Sequence, residues 1–120
     1  MVSPAAIRKI AMSLPGTAEA VHFESPAFLV KGKIFATLNE RPGRVTVKLL
    51  PEQQEMMIAA EPAIFQRVPN YWGDKGWTWM KLTAADRKTA ASVLTTAHAN
   101  VGAKPRRGKA KRAADARRAR

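Results

Sequence analysis

Residues 68–82, VPNYWGDKGWTWMKL, hold all three tryptophans and the single tyrosine of this 120-residue chain, with Lys75 and Lys81 set among them. Aromatic faces stack on nucleobases and ammonium groups pair with phosphates, so this mixture of residue types suits a nucleic-acid surface. The competing role is burial, because aromatic rings also dominate core area. If residues 76–82 form a strand, Trp77, Trp79 and Lys81 share one face, while Thr78, Met80 and Leu82 share the other. Burial is the stronger competitor for Trp79. Tyr71 and Trp72, beside Gly73 in the intervening loop, are expected to be exposed.

A second concentration of chemistry lies at the C-terminal end. The chain carries a net charge of +12, and residues 104–120 supply nine Lys/Arg against one Asp, leaving +4 on residues 1–103. The cations fall in three groups: Lys104, Arg106 and Arg107; Lys109, Lys111 and Arg112; and Arg117, Arg118 and Arg120. Each cation that neutralises a phosphate releases condensed counterion, and seven engaged residues would give a salt slope of about −6 on duplex DNA. Such a segment positions a protein on a polyanion without reading sequence. A solubilising extension, or a binder of acidic protein or lipid, would have the same composition.

Catalytic readings have less to stand on. His22 and His98 are the histidines, and His22 with Glu24 would share a face of an extended segment, close enough to exchange a proton. That spacing is common. No phosphate loop, nucleophile elbow, paired-histidine zinc helix or dinucleotide fingerprint occurs, and PGT and PGR read as turns. With zero cysteines there are no disulfides or thiolate metal sites. The expectation is therefore no enzyme, no cofactor and no metal. No apolar run approaches the ~20 residues of a membrane span, which fits a soluble cytoplasmic protein, nucleoid-associated if it binds DNA.

Elements must position these groups. Ser3 before Pro4 caps a first helix over about residues 3–14, with Ile7, Ile10, Ala11 and Leu14 at helical spacing. AFLV, KIFATL and RVTVKLL then read as three strands parted by Lys31-Gly32 and NERPG. In the third, Val45, Val47 and Leu49 alternate with Arg44, Thr46 and Lys48, which makes its wet face basic. Pro51 and Glu52 open a second helix to about Ala60, with Met56, Met57 and Ala60 on its apolar side. AIFQRV and GWTWMKL are two further strands around the loop PNYWGDK. Thr83 to Asp86 has capping-box spacing ahead of a last helix ending near Gly102. The order predicts an α+β two-layer domain over residues 1–103, with an antiparallel sheet and helices on one face. Residues 104–120 lack large apolar groups and are expected to be a disordered arm.

The succession SLPGTAEAVHFESPAFLVKGKIFATL, VKLLPEQQEMMIAAEPAIF and VPNYWGDKGWTWMKL resembles the MmcQ/YjbR family of small bacterial proteins over roughly residues 5–100. The resemblance implies an α-β(3)-α-β(2)-α domain similar to the secretion-chaperone-like fold. It also implies the DNA-binding role with which the family is commonly labelled, and a likeness to double-wing DNA-binding surfaces.

The function expected from these features is DNA binding: charge on the arm for affinity and, on the domain, Arg44, Lys48, Tyr71, Trp72, Lys75, Trp77 and Lys81 for orientation. Duplex DNA is favoured over RNA. Lys31 and Lys33 in KGK offer a second basic turn that could pair with the loop of the 70s as two wings, or be an ordinary solvated turn. The alternatives are a protein-interaction module docking through the sheet or through Met56 and Met57, and a small-molecule binder or enzyme with a pocket near His22.

Overall fold

The computed structural model describes residues 1–102; the arm, its nine cations and the boundary after residue 103 lie outside the described residues. Ten elements follow in the order α1 (Pro4–Ser13), β1 (Thr17–His22), β2 (Ser25–Val30), β3 (Lys33–Asn39), β4 (Arg44–Lys48), α2 (Pro51–Ala60), β5 (Phe65–Arg67), α3 (Tyr71–Asp74), β6 (Trp77–Lys81) and α4 (Arg87–Gly102). The six strands form one sheet in the order β1-β2-β3-β4-β6-β5, and each neighbouring pair is antiparallel. The α+β class read from the sequence is the observed one. The sheet has gained an edge strand, β1, whose residues are almost all exposed and therefore lack the apolar alternation that betrays a strand.

Local signals account for most boundaries. Ser3 Oγ accepts from Ala6 N at 3.1 Å and caps α1, which turns Ala6, Ile7 and Ala11 into the core. Two two-residue turns reverse the chain: Phe23 and Glu24 (φ 51° and 67°) between β1 and β2, and Lys31 and Gly32 (φ 55° and 77°) between β2 and β3. Positive φ at both central residues is the twist that a tight hairpin needs. His22 ends β1 and Glu24 lies inside the turn, so the two do not share the extended face expected of them.

The core fills the space between one sheet face and the helices. Phe28, Phe35, Leu38, Val45, Val47 and Met80 from the sheet meet Ile7 of α1 and Val93, Leu94 and Ala97 of α4. Helix α2 departs from its expected pattern: Met56 and Ala60 are exposed, whereas Gln54 is buried and Met57 and Ile58 pack against the core. No helix among the described residues is long and apolar enough to cross a membrane.

Helix α4 starts at Arg87 and its N-cap is Asp86, not the expected Thr83: Asp86 Oδ1 accepts from Thr89 N at 2.7 Å. That hydrogen bond holds the Asp86 carboxyl below the usual carboxylate range. A depressed folded-state pKa gives stability that is complete above the unfolded value of about 3.9 and is lost as pH falls through the folded value. Asp86→Asn keeps a capping acceptor but no titrating group. It is expected to match the parent at neutral pH and to lose less stability on acidification, read from melting temperature against pH by circular dichroism. An unchanged acid limb would assign that loss to other carboxylates.

Candidate functional site

The helices leave the other face of the sheet open. Along β4, Val45 and Val47 are buried while Arg44, Thr46 and Lys48 are half-buried, and along β6 Thr78 and Met80 are buried while Trp77 and Trp79 are half-buried. The register sets Lys48 opposite Trp77, Thr46 opposite Trp79 and Arg44 opposite Lys81. The two strands therefore bring together, on one face, the five residues expected to share it: Arg44, Lys48, Trp77, Trp79 and Lys81. Trp79 lies on this face and not in the helix-side core.

Cations lie against the rings. The Arg44 guanidinium carbon is 3.5 Å from the Trp79 ring centroid, Lys48 Nζ is 5.5 Å from that of Trp77, and Lys75 Nζ is 5.2 Å from that of Tyr71. Burial lowers the pKa of Arg44; burial and then the nearby charge of Lys75 lower that of Lys48. Charge that is partly stripped of water and lacks a counter-ion is stabilised when an anion arrives. The ion pairs among the described residues, Arg8 with Glu19 and Arg67 with Asp74, involve neither cation. Arg44 Nε is buried without a hydrogen-bond partner.

The loop of the 70s contains a one-turn helix, α3, which raises Tyr71 and Trp72 to 59% exposure each. It is held from below. Gln54 Nε2 lies 3.1 Å from Gly73 O, 3.0 Å from Trp77 O and 3.1 Å from Thr78 Oγ1, and Lys48 Nζ donates to Lys75 O at 2.6 Å. A buried glutamine set against three acceptors is a strut between α2 and the aromatic turn. Gln54→Leu is expected to cost about 2 kcal/mol, since it deletes a buried donor at nearly constant volume. A urea melt checks the cost and tryptophan emission checks the accompanying exposure of the loop; parental stability would remove the strut.

A groove of about 460 Å³ crosses the open face. Its floor holds Trp77 and Trp79, Phe23 of the β1–β2 turn lines it from one flank of the sheet, and Trp72 of α3 lines it from the other. The irregular register between Phe28 and Leu29 is a bulge of the kind that adds local twist and bends a strand. Thr37, Asn39 and Thr46 place polar groups in the groove, with Thr46 Oγ1 donating to Asn39 Oδ1 at 3.0 Å. Among the described residues, no carboxylate lines it.

Phe23, Thr37 and Asn39 escaped sequence reasoning. Phe23 had a signal, because a bulky residue is uncommon at a turn position requiring positive φ, but the turn itself was hidden with β1. Alternation alone marked Thr46 for the open face; strand register brings Asn39 and Thr37 beside it. Lys31 and Lys33, both exposed, lie in the β2–β3 turn. Following the antiparallel register from β2 to β6 puts that turn at the same end of the sheet as Lys48, Trp77 and α3.

The family model described as YjbR matches residues 12–100. The chain belongs to the YjbR family. The YjbR domain here is similar to the crystal structure of a Deinococcus radiodurans protein with a DUF419 domain, at 21% identity and a TM-score of 0.73, covering 87% of this chain and 84% of the other. At that identity the likeness is one of fold. No curated protein matches this YjbR sequence.

Proposed function

We propose that this YjbR protein binds nucleic acid, DNA in the first instance, and that its folded domain contributes a surface of its own to that binding. The observation that carries the reading is one end of the sheet where cations converge without carboxylate partners among the described residues. Lys31, Lys33, Lys48 and Lys75 sit at that end, and Gly102, where the described chain stops, packs beside Val30 and Lys31. Residues 104–120, which follow in the sequence, carry a net +8. Phosphates drawn to that segment would meet the basic end of the domain next, with Arg44 and Lys81 further along the open face. Charge of one sign gathered on one side is the footprint expected of a polyanion-binding protein.

Fluorescence anisotropy of labelled DNA against the full chain and residues 1–103, across a salt series, tests the proposal. The shortened chain is expected to bind more weakly, with a shallower salt dependence, and to change its tryptophan emission on binding. Loss of all binding with the arm would leave the domain without a nucleic-acid role.

A second reading has one observation in its favour, since His22 lines the groove and a planar small molecule could lie there. Within that reading His22, which is exposed, is the titratable group that a bound small molecule would meet.

A further inference from the structure

We infer that the groove on the open sheet face holds unstacked bases of a single strand, with Phe23 and Trp72 as its two stacking walls. This deepens the proposed nucleic-acid function and rests on it.

The rings divide into two kinds. Trp77, Trp79 and Tyr71 each have a cation against them, whereas Phe23 and Trp72 take part in none of the cation–ring pairs among the described residues. Phe23 and His22 form an edge-type pair with centroids 4.5 Å apart, and Trp72 and Tyr71 another at 5.5 Å. Phe23 and Trp72 are largely exposed, at 88% and 59%, and neither ring is stacked face to face on another among the described residues. They stand on opposite flanks of one groove whose floor is aromatic. A groove walled by rings at both ends suits a chain of linked bases, because each base offers a flat apolar face and every linkage a phosphate. In a closed duplex those faces are already stacked and cannot enter.

Phe23 adds an independent argument. It is 88% exposed and sits at φ 51°, a left-handed position that asparagine or glycine fills at less cost. A large apolar ring held there gains nothing from the core and strains its own backbone. Residues kept in such positions cluster where they serve a ligand. The charge around the groove fits the same occupant: Arg44 and Lys48 lie against the floor rings Trp79 and Trp77, and among the described residues neither forms an ion pair and no carboxylate lines the groove to repel a phosphate. Thr37, Asn39 and Thr46 lie between the walls, where base edges would fall.

The test uses the full chain and its Phe23→Asn and Trp72→Ala variants at a salt concentration high enough to suppress the arm. Three labelled probes of equal length are titrated: an oligothymidylate, an all-abasic strand and a duplex. The oligothymidylate is expected to bind tighter than either of the others. Each variant is expected to weaken it about 10-fold, within the range measured for a lost base stack, and to leave the salt slope unchanged. Phe23→Asn should at the same time raise the melting temperature by relieving the turn, so its loss of affinity could not be ascribed to unfolding.

If the abasic strand matches the oligothymidylate, or both variants bind like the parent, the base-stacking site is wrong while nucleic-acid binding stands. If no probe binds at this salt, the base-stacking site falls; the nucleic-acid reading falls with it only if the full chain also binds none of them at low salt. If thymidine monophosphate binds as tightly as the oligomer, the groove is a small-molecule site and the strand is not its ligand.

Discussion

Gly76→Ala is expected to cost about 3 kcal/mol or more, a large share of the roughly 5 to 15 kcal/mol that holds a domain of this size. Two effects combine at this residue. Its φ of +103° is one that side-chain-bearing residues rarely adopt, and a Cβ placed there would overlap the carbonyl oxygen of Leu49. That carbonyl belongs to fully buried backbone, and Leu49 N already donates to Gly76 O at 3.1 Å, so neither strand can withdraw cheaply. Gly32→Ala separates the two effects. Gly32 has φ +77° but nothing within 4 Å of an added Cβ, so it should show the dihedral cost alone, about 1 kcal/mol. Urea melts of both variants measure the difference. Equal losses would mean that the close approach to Leu49 contributes nothing. Because Gly76 also ends the turn that carries Tyr71 and Trp72, the variant should disturb the groove as well as the fold.

The second large effect is on affinity. Removal of residues 104–120 deletes nine of the chain's 21 Lys/Arg. Each phosphate contact contributes about −0.9 to the slope of log K against log salt on duplex DNA. With seven arm cations engaged, the slope should become shallower by about 6. The loss of affinity on truncation should then be large at low salt and shrink steeply as salt rises, since counterion release is an entropic gain that vanishes when bulk salt is high. The residual binding of residues 1–103 carries the information about the domain. A residual that depends on Lys48 and Arg44 identifies the open face as its source. A residual insensitive to both would place the contact elsewhere on the domain.

What was legible in the chain was legible because it was local or periodic. Ser3-Pro4 capped α1 where expected, since a cap and its helix lie within four residues of each other. The alternation in RVTVK assigned Val45 and Val47 to the core and Arg44 and Lys48 to the other face. The same parity in β6 joined Trp77, Trp79 and Lys81, and the YjbR match agrees with the family resemblance of the ordered motifs. The N-cap of α4 was misplaced by three residues because Thr83 and Asp86 are both capping types and only the chain's path selects between them. Strand β1 was missed for a physical reason: an exposed edge strand has no face to bury, so burial leaves no pattern in its sequence.

The sequence by itself determined the composition of the chemistry: aromatic and basic residues in one stretch, a charge of +8 on the final segment, and helices and strands whose periodicities make an α+β sheet protein. Tertiary structure alone decided the site. Phe23 and Trp72 are far apart in the chain and reach one groove only because β1 and α3 end on opposite flanks of the same sheet. Thr46 meets Asn39 through strand register, and Gln54 of α2 reaches the aromatic turn through a buried hydrogen bond. Such contacts depend on how six strands pair, and pairing is set by the summed burial of the whole core, which no short stretch of residues encodes.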